Sequence, residues 1–318
     1  MNIISTKNIT KSFSKTNFNW KKFYFEKESK IAVKNLSIDI EEGELVGFLG
    51  PNGAGKTTFL KILSGIMYPT SGTAKVLDYV PWERDYKLLS QFAIVMGQKN
   101  QLWWDLPVID SFNMLKEIYS ISNENYKKNL NELVDLLGVR EFLDRRPRNM
   151  SLGERMKCEL IASLLHEPKI LFLDEPTIGL DVVSAQVIRD FIKKINREKK
   201  CTIILTSHYM GDVEELCKRV IIINKGEKIY DGELSKLKEK YAPKRRIQIY
   251  LNSVEDKEAF AKIESEKKLE DNIGTILVNK REIGQVVKEV FSKFNPEDIS
   301  INEIETAEVI SKIFLENK

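Results

Sequence analysis

A chain of 318 residues is long enough for one large domain with a smaller one, or for two of moderate size. Its 42% hydrophobic and 31% charged residues can build a sizeable core, and a net charge of +3 is too small to argue for a nucleic-acid partner. No apolar run approaches the ~20 residues that cross a bilayer, and the first residues, MNIISTKNITKSF, lack the apolar stretch of a secretory signal, which predicts a cytosolic chain.

In chain order, residues 31–49 alternate like a strand (Val33, Leu36, Ile38, Ile40) and turn at Glu41-Glu42-Gly43. Leu45 to Leu49 then reads as a short buried strand. Residues 50–57 follow as Gly50-Pro51-Asn52-Gly53-Ala54-Gly55-Lys56-Thr57, with Thr58 opening a helix-compatible stretch. Strand, glycine loop and helix in that order are the context of a phosphate-binding loop. Gly50, Gly53 and Gly55 let the backbone wrap an anion and turn its N–H groups inward. Lys56 adds a point charge for the outer phosphates, the Thr57 hydroxyl is a ligand type for Mg²⁺, and the helix N-terminus adds positive potential.

Between about 85 and 150 the pattern becomes helical: Phe112, Leu115 and Ile118-Tyr119, then Leu130, Leu133-Val134 and Leu136-Leu137 before Gly138. Residues 170–175, Ile-Leu-Phe-Leu-Asp-Glu, form an apolar strand that ends in two carboxylates. Asp174, at the strand's edge, is placed to hold Mg²⁺ directly or through water. Glu175 points elsewhere, because strand side chains alternate, and is placed to orient or deprotonate an attacking water. Thr202 to Leu205 is a further core strand. Alternation of short β-branched runs with helices predicts an α/β fold with a mainly parallel sheet and a helical insertion at about 99–165. Cys158, Cys201 and Cys217 are far apart and only two histidines exist, which argues against a disulfide or zinc framework.

A boundary is expected near 238–245, where LysGluLys and ProLysArgArg surround Tyr241-Ala242, giving a first domain over 1–238 and a second over 239–318. The second reads as a small α/β appendage without catalytic residues. Its expected strands are 247–251, 275–278 and 298–302, and its expected helices 259–263, 283–294 and 306–315.

GPNGAGKTT, MSLGER (150–155), ILFLDEPTIGLD (170–181) and TSH (206–208), in this order, resemble the ATP-binding cassette ATPases over roughly residues 1–235. The resemblance implies a P-loop NTPase cassette with a mainly parallel core sheet, an antiparallel β subdomain and a helical insertion. It implies hydrolysis of ATP with Mg²⁺, by the nucleotide-binding subunit of a transporter. Gln98 matches the family's glutamine loop, which contacts Mg²⁺. Ser151 and Gly153 match the signature that touches the γ-phosphate held by the opposite subunit. Here Leu152 stands where glycine is commonest and Glu154 where glutamine is usual, a variant that resembles a branch of exporters. Asp181 matches the loop that crosses to the other subunit, and His208 the switch histidine. Phe13 is the candidate to stack on adenine, with Tyr24 or Phe25 as alternatives.

With one phosphate loop per chain, the resemblance implies a homodimer around two ATP molecules, working on separate permease subunits at the inner face of a membrane. Trp103-Trp104 either lines the groove for the permease or packs in the helical insertion. Residues 15–30 are expected as a lengthened, solvated loop, with contact to headgroups or the permease as the other reading; their charge, Lys15, Lys21, Lys22, Lys27 and Lys30 against Glu26 and Glu28, is 5 − 2 = +3. An ATPase of the same family acting on ribosomes or nucleic acid is the competing expectation; those relatives typically fuse two cassettes.

Overall fold

A computed structural model describes residues 2–19, 24–97, 100–263, 266–293, 296 and 298–316, with the backbone alone at 15–19 and 24–28. The chain forms two compact units, Met1–Gly232 and Glu233–Lys318.

In the first unit, five apolar runs and a polar edge strand form a six-stranded sheet in the order β10-β9-β4-β8-β7-β6, built from β4 (Leu45–Leu49), β6 (Phe92–Met96), β7 (Ile170–Asp174), β8 (Thr202–Thr206), β9 (Arg219–Asn224) and the edge strand β10 (Glu227–Glu233). The contacts β9/β4, β4/β8, β8/β7 and β7/β6 are parallel. Buried on both faces, β4, β7, β8 and β9 read as continuous apolar runs rather than alternating ones. The loops that leave β4, β6, β7 and β8 all emerge at the carboxyl end of the sheet. That is where an open α/β sheet places its ligand crevice. Register sets Met96 beside Asp174 and Asp174 beside Thr206.

A second, antiparallel sheet joins β1 (Asn2–Asn19) to β2 (Tyr24–Leu36), β3 (Asp39–Glu41) and β5 (Ser71–Val76). Residues expected as a solvated loop therefore differ where they are described: β1 and β2 pair from Phe13/Lys30 to Asn19/Tyr24. Backbone pairing satisfies the N–H and C=O groups of a segment whose side-chain composition alone reads as a loop. Trp20 and Phe23 lie outside the described residues, as do the side chains of Phe18, Tyr24 and Phe25.

Helix α1 (Lys56–Leu63) leaves the glycine loop, and α2 (Tyr86–Leu89) precedes β6. Helices α3 (Val108–Ile118), α4 (Asn123–Leu137) and α5 (Leu152–Leu164) fill the stretch of helical periodicity, and Gly138 ends α4 in the left-handed region. Helices α6 (Val182–Lys199) and α7 (Met210–Leu216) follow β7 and β8.

The second unit begins with α8 (Leu234–Tyr241), ahead of the charged stretch that marked the expected boundary. α8 belongs with it because Leu234 and Leu237 are buried and the helix packs on α11 (Thr306–Glu316). Between them run β11 (Lys244–Tyr250), α9 (Val254–Ala261), β12 (Glu266–Glu270), β13 (Ile273–Asn279), α10 (Ile283–Lys293) and β14 (Ile299–Glu303). Their order in the antiparallel sheet, β12-β13-β11-β14, is that of a split β-α-β unit. Ile247, Ile249, Phe260, Ile276 and Val290 form its core. Strand β12, Glu-Lys-Lys-Leu-Glu, went unpredicted: an exposed edge strand has no buried face to impose alternation.

Candidate functional site

Three chain segments build the phosphate loop. Gly53 and Gly55 hold φ of 78° and 108°, a region that favours glycine. A Cβ at Gly55 would collide with the Ala32 carbonyl of β2, and one at Gly50 would lie 2.5 Å from the Ile223 carbonyl of β9. β2 thus crosses over the loop. Gly226 ties the two together, donating to the Ala54 carbonyl (3.0 Å) and accepting from the Lys34 N–H (2.9 Å). Ala54 also donates to the Pro51 carbonyl at 3.1 Å.

Lys56, only 5% exposed, donates through Nζ to the carbonyls of Gly50 (2.7 Å) and Pro51 (3.2 Å). Burial pulls its pKa below the ordinary value against the opposing charges of Glu175 and Asp174. The Thr57 hydroxyl donates to Asp174 Oδ2 at 3.0 Å, and the Thr206 hydroxyl to Asp174 Oδ1 at 2.5 Å. Asp174 therefore joins α1 to the ends of β7 and β8. A carboxylate with flanking hydroxyl oxygens is a hard-oxygen donor set of the kind Mg²⁺ takes, with water and phosphate oxygens completing its shell.

Glu175 reaches its position differently from the alternation expected of a strand. β7 ends at Asp174, and Glu175 has φ of 57°, a left-handed turn that redirects the side chain. Its N–H donates to the Thr206 carbonyl at 3.1 Å. A Cβ on Gly97 would lie 2.6 Å from the Glu175 carbonyl, so glycine there permits the close approach of the β6 loop. His208 Nε2 lies 2.7 Å from Glu175 Oε1. Carboxylate, imidazole, lysine and hydroxyls thus meet at one end of the sheet. A cavity of about 350 Å³ opens there, lined by Asn52, Lys56, Thr57, Thr58, Glu175 and Phe13 among others. Phe13 is 43% exposed, with Lys11 Nζ 5.4 Å from its ring centroid.

Gln98 lies outside the described residues. Ser151, Gly153 and Asp181 are absent from the described residues lining the cavity. They meet each other instead. Ser151 is the exposed N-cap of α5, accepting from the Glu154 N–H (3.2 Å) while its own N–H donates to Glu154 Oε2 (2.8 Å). Asp181 caps α6 by accepting from the Ser184 N–H (2.8 Å) and hydroxyl (2.6 Å), and the Ser184 hydroxyl is the first reason its carboxyl sits below the usual range. A Cβ on Gly153 would lie 2.7 Å from Ser184 Oγ, so the two helix starts press together. Leu152 packs on the same loop, its Cδ2 3.1 Å from where a Gly179 Cβ would sit.

Trp103 and Trp104 are 37% and 45% exposed, with Arg155 Cζ 5.2 Å from the Trp104 ring centroid. Neither is a core residue. Sequence reasoning assigned no role to Glu159, Thr177 or Asp212. Glu159, buried on α5, accepts from the N–H groups of Gln101 (2.8 Å) and Leu102 (3.3 Å) and so ties α5 to the segment after β6. An acidic residue among Met156, Cys158, Leu160 and Ile161 was the available signal.

Burial pushes the Glu159 carboxyl from 4.5 up to about 7, against the pull of those two N–H groups. The neutral form is favoured in the folded state, so this contribution to stability is whole below about 4.5 and is lost as pH rises through about 7. The rise corresponds to roughly 3 kcal/mol. Glu159→Gln keeps an acceptor and removes the titration. Its thermal midpoint is expected to fall less than that of the wild type between pH ~5 and ~8. Parallel curves for the two proteins would refute this.

The family model described as ABC transporter matches residues 33–178. The chain is 34% identical over 219 residues to the ABC transporter ATP-binding protein NatA of Bacillus subtilis (strain 168), covering 69% of this chain and 89% of that one. It is 33% identical over 227 residues to the linearmycin resistance ATP-binding protein LnrL of the same organism, covering 71% and 72%. Among solved structures, the dimeric post-hydrolysis state of the ATP-binding cassette MJ0796 bound to ADP and Pi superposes with a TM-score of 0.62. That match has 25% identity and covers 73% of this chain and 98% of that one.

Proposed function

Since the chain belongs to the family of ABC transporter ATP-binding proteins, we propose that two copies close around two ATP molecules, hydrolyse them and drive export through separate permease subunits. The chain is an ATPase subunit. Among the described residues, no helix is long and apolar enough to cross a membrane, so passage of cargo falls to a membrane-embedded partner. The exporter reading draws on LnrL, whose name records a resistance function. We place the protein at the cytoplasmic face of that membrane, without a nucleic-acid partner. The first unit, Met1–Gly232, is assigned to the cassette, with 99–165 as its helical insertion, and the second, Glu233–Lys318, to an accessory domain that regulates or strengthens dimerisation.

The observation that carries this reading is a division of labour. Lys56, Thr57 and Glu175 line one cavity, with Asp174 bonded to Thr57 and His208 to Glu175, while Ser151, Gly153 and Asp181 gather at the starts of α5 and α6, away from that lining. Residues 50–58 bind the phosphates through backbone N–H groups, Lys56 and the start of α1. Phe13 stacks on the base. Thr57 and Asp174 hold Mg²⁺, joined by Gln98. When bound, the cation neutralises charge on the phosphate oxygens. Glu175 accepts a proton from the attacking water, and His208 orients the Glu175 carboxylate and the γ-phosphate. Ser151, Gly153 and Asp181 of one copy complete the site of the other.

Light scattering of the Glu175→Gln chain saturated with MgATP tests the arrangement: a dimer is expected, reverting to monomer with ADP. A strictly monomeric chain in MgATP, even with its permease present, would overturn it.

A further inference from the structure

Asp212 is 1% exposed, and three donors from three elements converge on its carboxylate. The Thr177 and Ser207 hydroxyls donate to Oδ2, the latter at 2.8 Å, and Arg189 Nη1 of α6 donates to Oδ1 at 2.8 Å. Arg189 is held in turn by Gln186 Oε1 (2.8 Å) and pairs with Glu215 (2.7 Å), which also pairs with Lys193 (2.7 Å). Both oxygens of the Asp212 side chain are therefore engaged by donors from separate parts of the chain. Buried charge of this kind is costly unless paired, and the guanidinium pairs it.

The partners matter for where they lie. Thr177 is two residues past Glu175, Ser207 immediately precedes His208, and α6 begins at the Asp181 cap. We propose that Asp212 is a positioning residue: it clasps the β7 and β8 loops to α6, and so fixes the separation of Glu175 from His208. This rests on the proposed roles of those two residues. Asp212 reaches neither of them by a hydrogen bond of its own. Its effect passes through the backbone of the two loops, and misplacement of a reacting group by about 1 Å can cost on the order of 10² in rate.

Asp212→Asn keeps the shape and replaces one acceptor oxygen by a donor. Steady-state ATP hydrolysis by the full chain is expected to show kcat reduced about 10- to 100-fold per folded molecule, with the Kd for ATP within about threefold of wild type. Thr177→Val and Ser207→Ala, which each remove one clasp, should lower kcat by smaller factors. Combined with Asp212→Asn they should add little, as expected for groups acting as one unit. A role confined to stability would lower the thermal midpoint and leave kcat per folded molecule unchanged, and that result overturns the proposal. If Asp212→Asn does not fold, Thr177→Val and Ser207→Ala decide, and wild-type kcat in both overturns it. Glu175→Gln, assayed alongside, separates the two readings. If it is silent while Asp212→Asn runs at the wild-type rate, only the positioning role falls. If Glu175→Gln itself runs at the wild-type rate, the base assignment falls and the positioning role with it.

Discussion

Glu175→Gln is expected to lower kcat for ATP hydrolysis by about 10² to 10⁴, with nucleotide affinity nearly unchanged. The two side chains have the same shape, so the cavity keeps its form. An amide, however, accepts no proton from water at neutral pH. The contact with His208 Nε2, now 2.7 Å from Oε1, passes to an amide oxygen or is lost. In the proposed arrangement the phosphate contacts are made by the glycine loop and Lys56 rather than by Glu175. Affinity and turnover therefore separate. Phosphate release under saturating MgATP, set beside the Kd, measures both. Turnover at the wild-type rate would remove Glu175 from the chemistry.

Lys56→Ala should act on the other quantity. Lys56 Nζ is held by the Gly50 and Pro51 carbonyls inside the loop, and burial pulls its pKa down, so its charge is only partly compensated by the protein. An arriving phosphate supplies the missing counter-charge. Charge-assisted hydrogen bonds contribute roughly 1.5–3 kcal/mol each, and the loss of one or two corresponds to a rise in Kd of about 10 to 10⁴. The substitution also strips a donor from two loop carbonyls, which works in the same direction. Equilibrium binding of ATP with and without Mg²⁺ gives the number. An unchanged Kd would show that residues 50–58 do not carry the nucleotide.

How much of this was legible in the chain depends on sequence separation. The phosphate loop reads directly because nine consecutive residues carry its chemistry, and the strands β4, β7 and β8 read as apolar runs because both faces are buried. The helices α3 and α4 follow from periodicity. By contrast, β12 carries no periodic signal, and the pairing of β1 with β2 beyond Phe13 overrides a composition that reads as loop. The direction of Glu175 was expected from alternation and is set by a left-handed turn, beside which Gly97 leaves room for the β6 loop to approach.

The sequence by itself determined which local chemistry exists: a glycine-rich anion loop, an apolar strand ending in carboxylates, a histidine after a core strand, and the family these mark. Only the tertiary structure decided which groups meet. Thr57 and Asp174 are 117 positions apart and touch at 3.0 Å, and Thr177 reaches Asp212 across 35 positions. The physical reason is that backbone conformation responds to near neighbours, whereas a buried carboxylate is satisfied by whatever donors the packed sheet and helices bring to it. Those donors come from the ends of strands that are adjacent in space and remote in the chain.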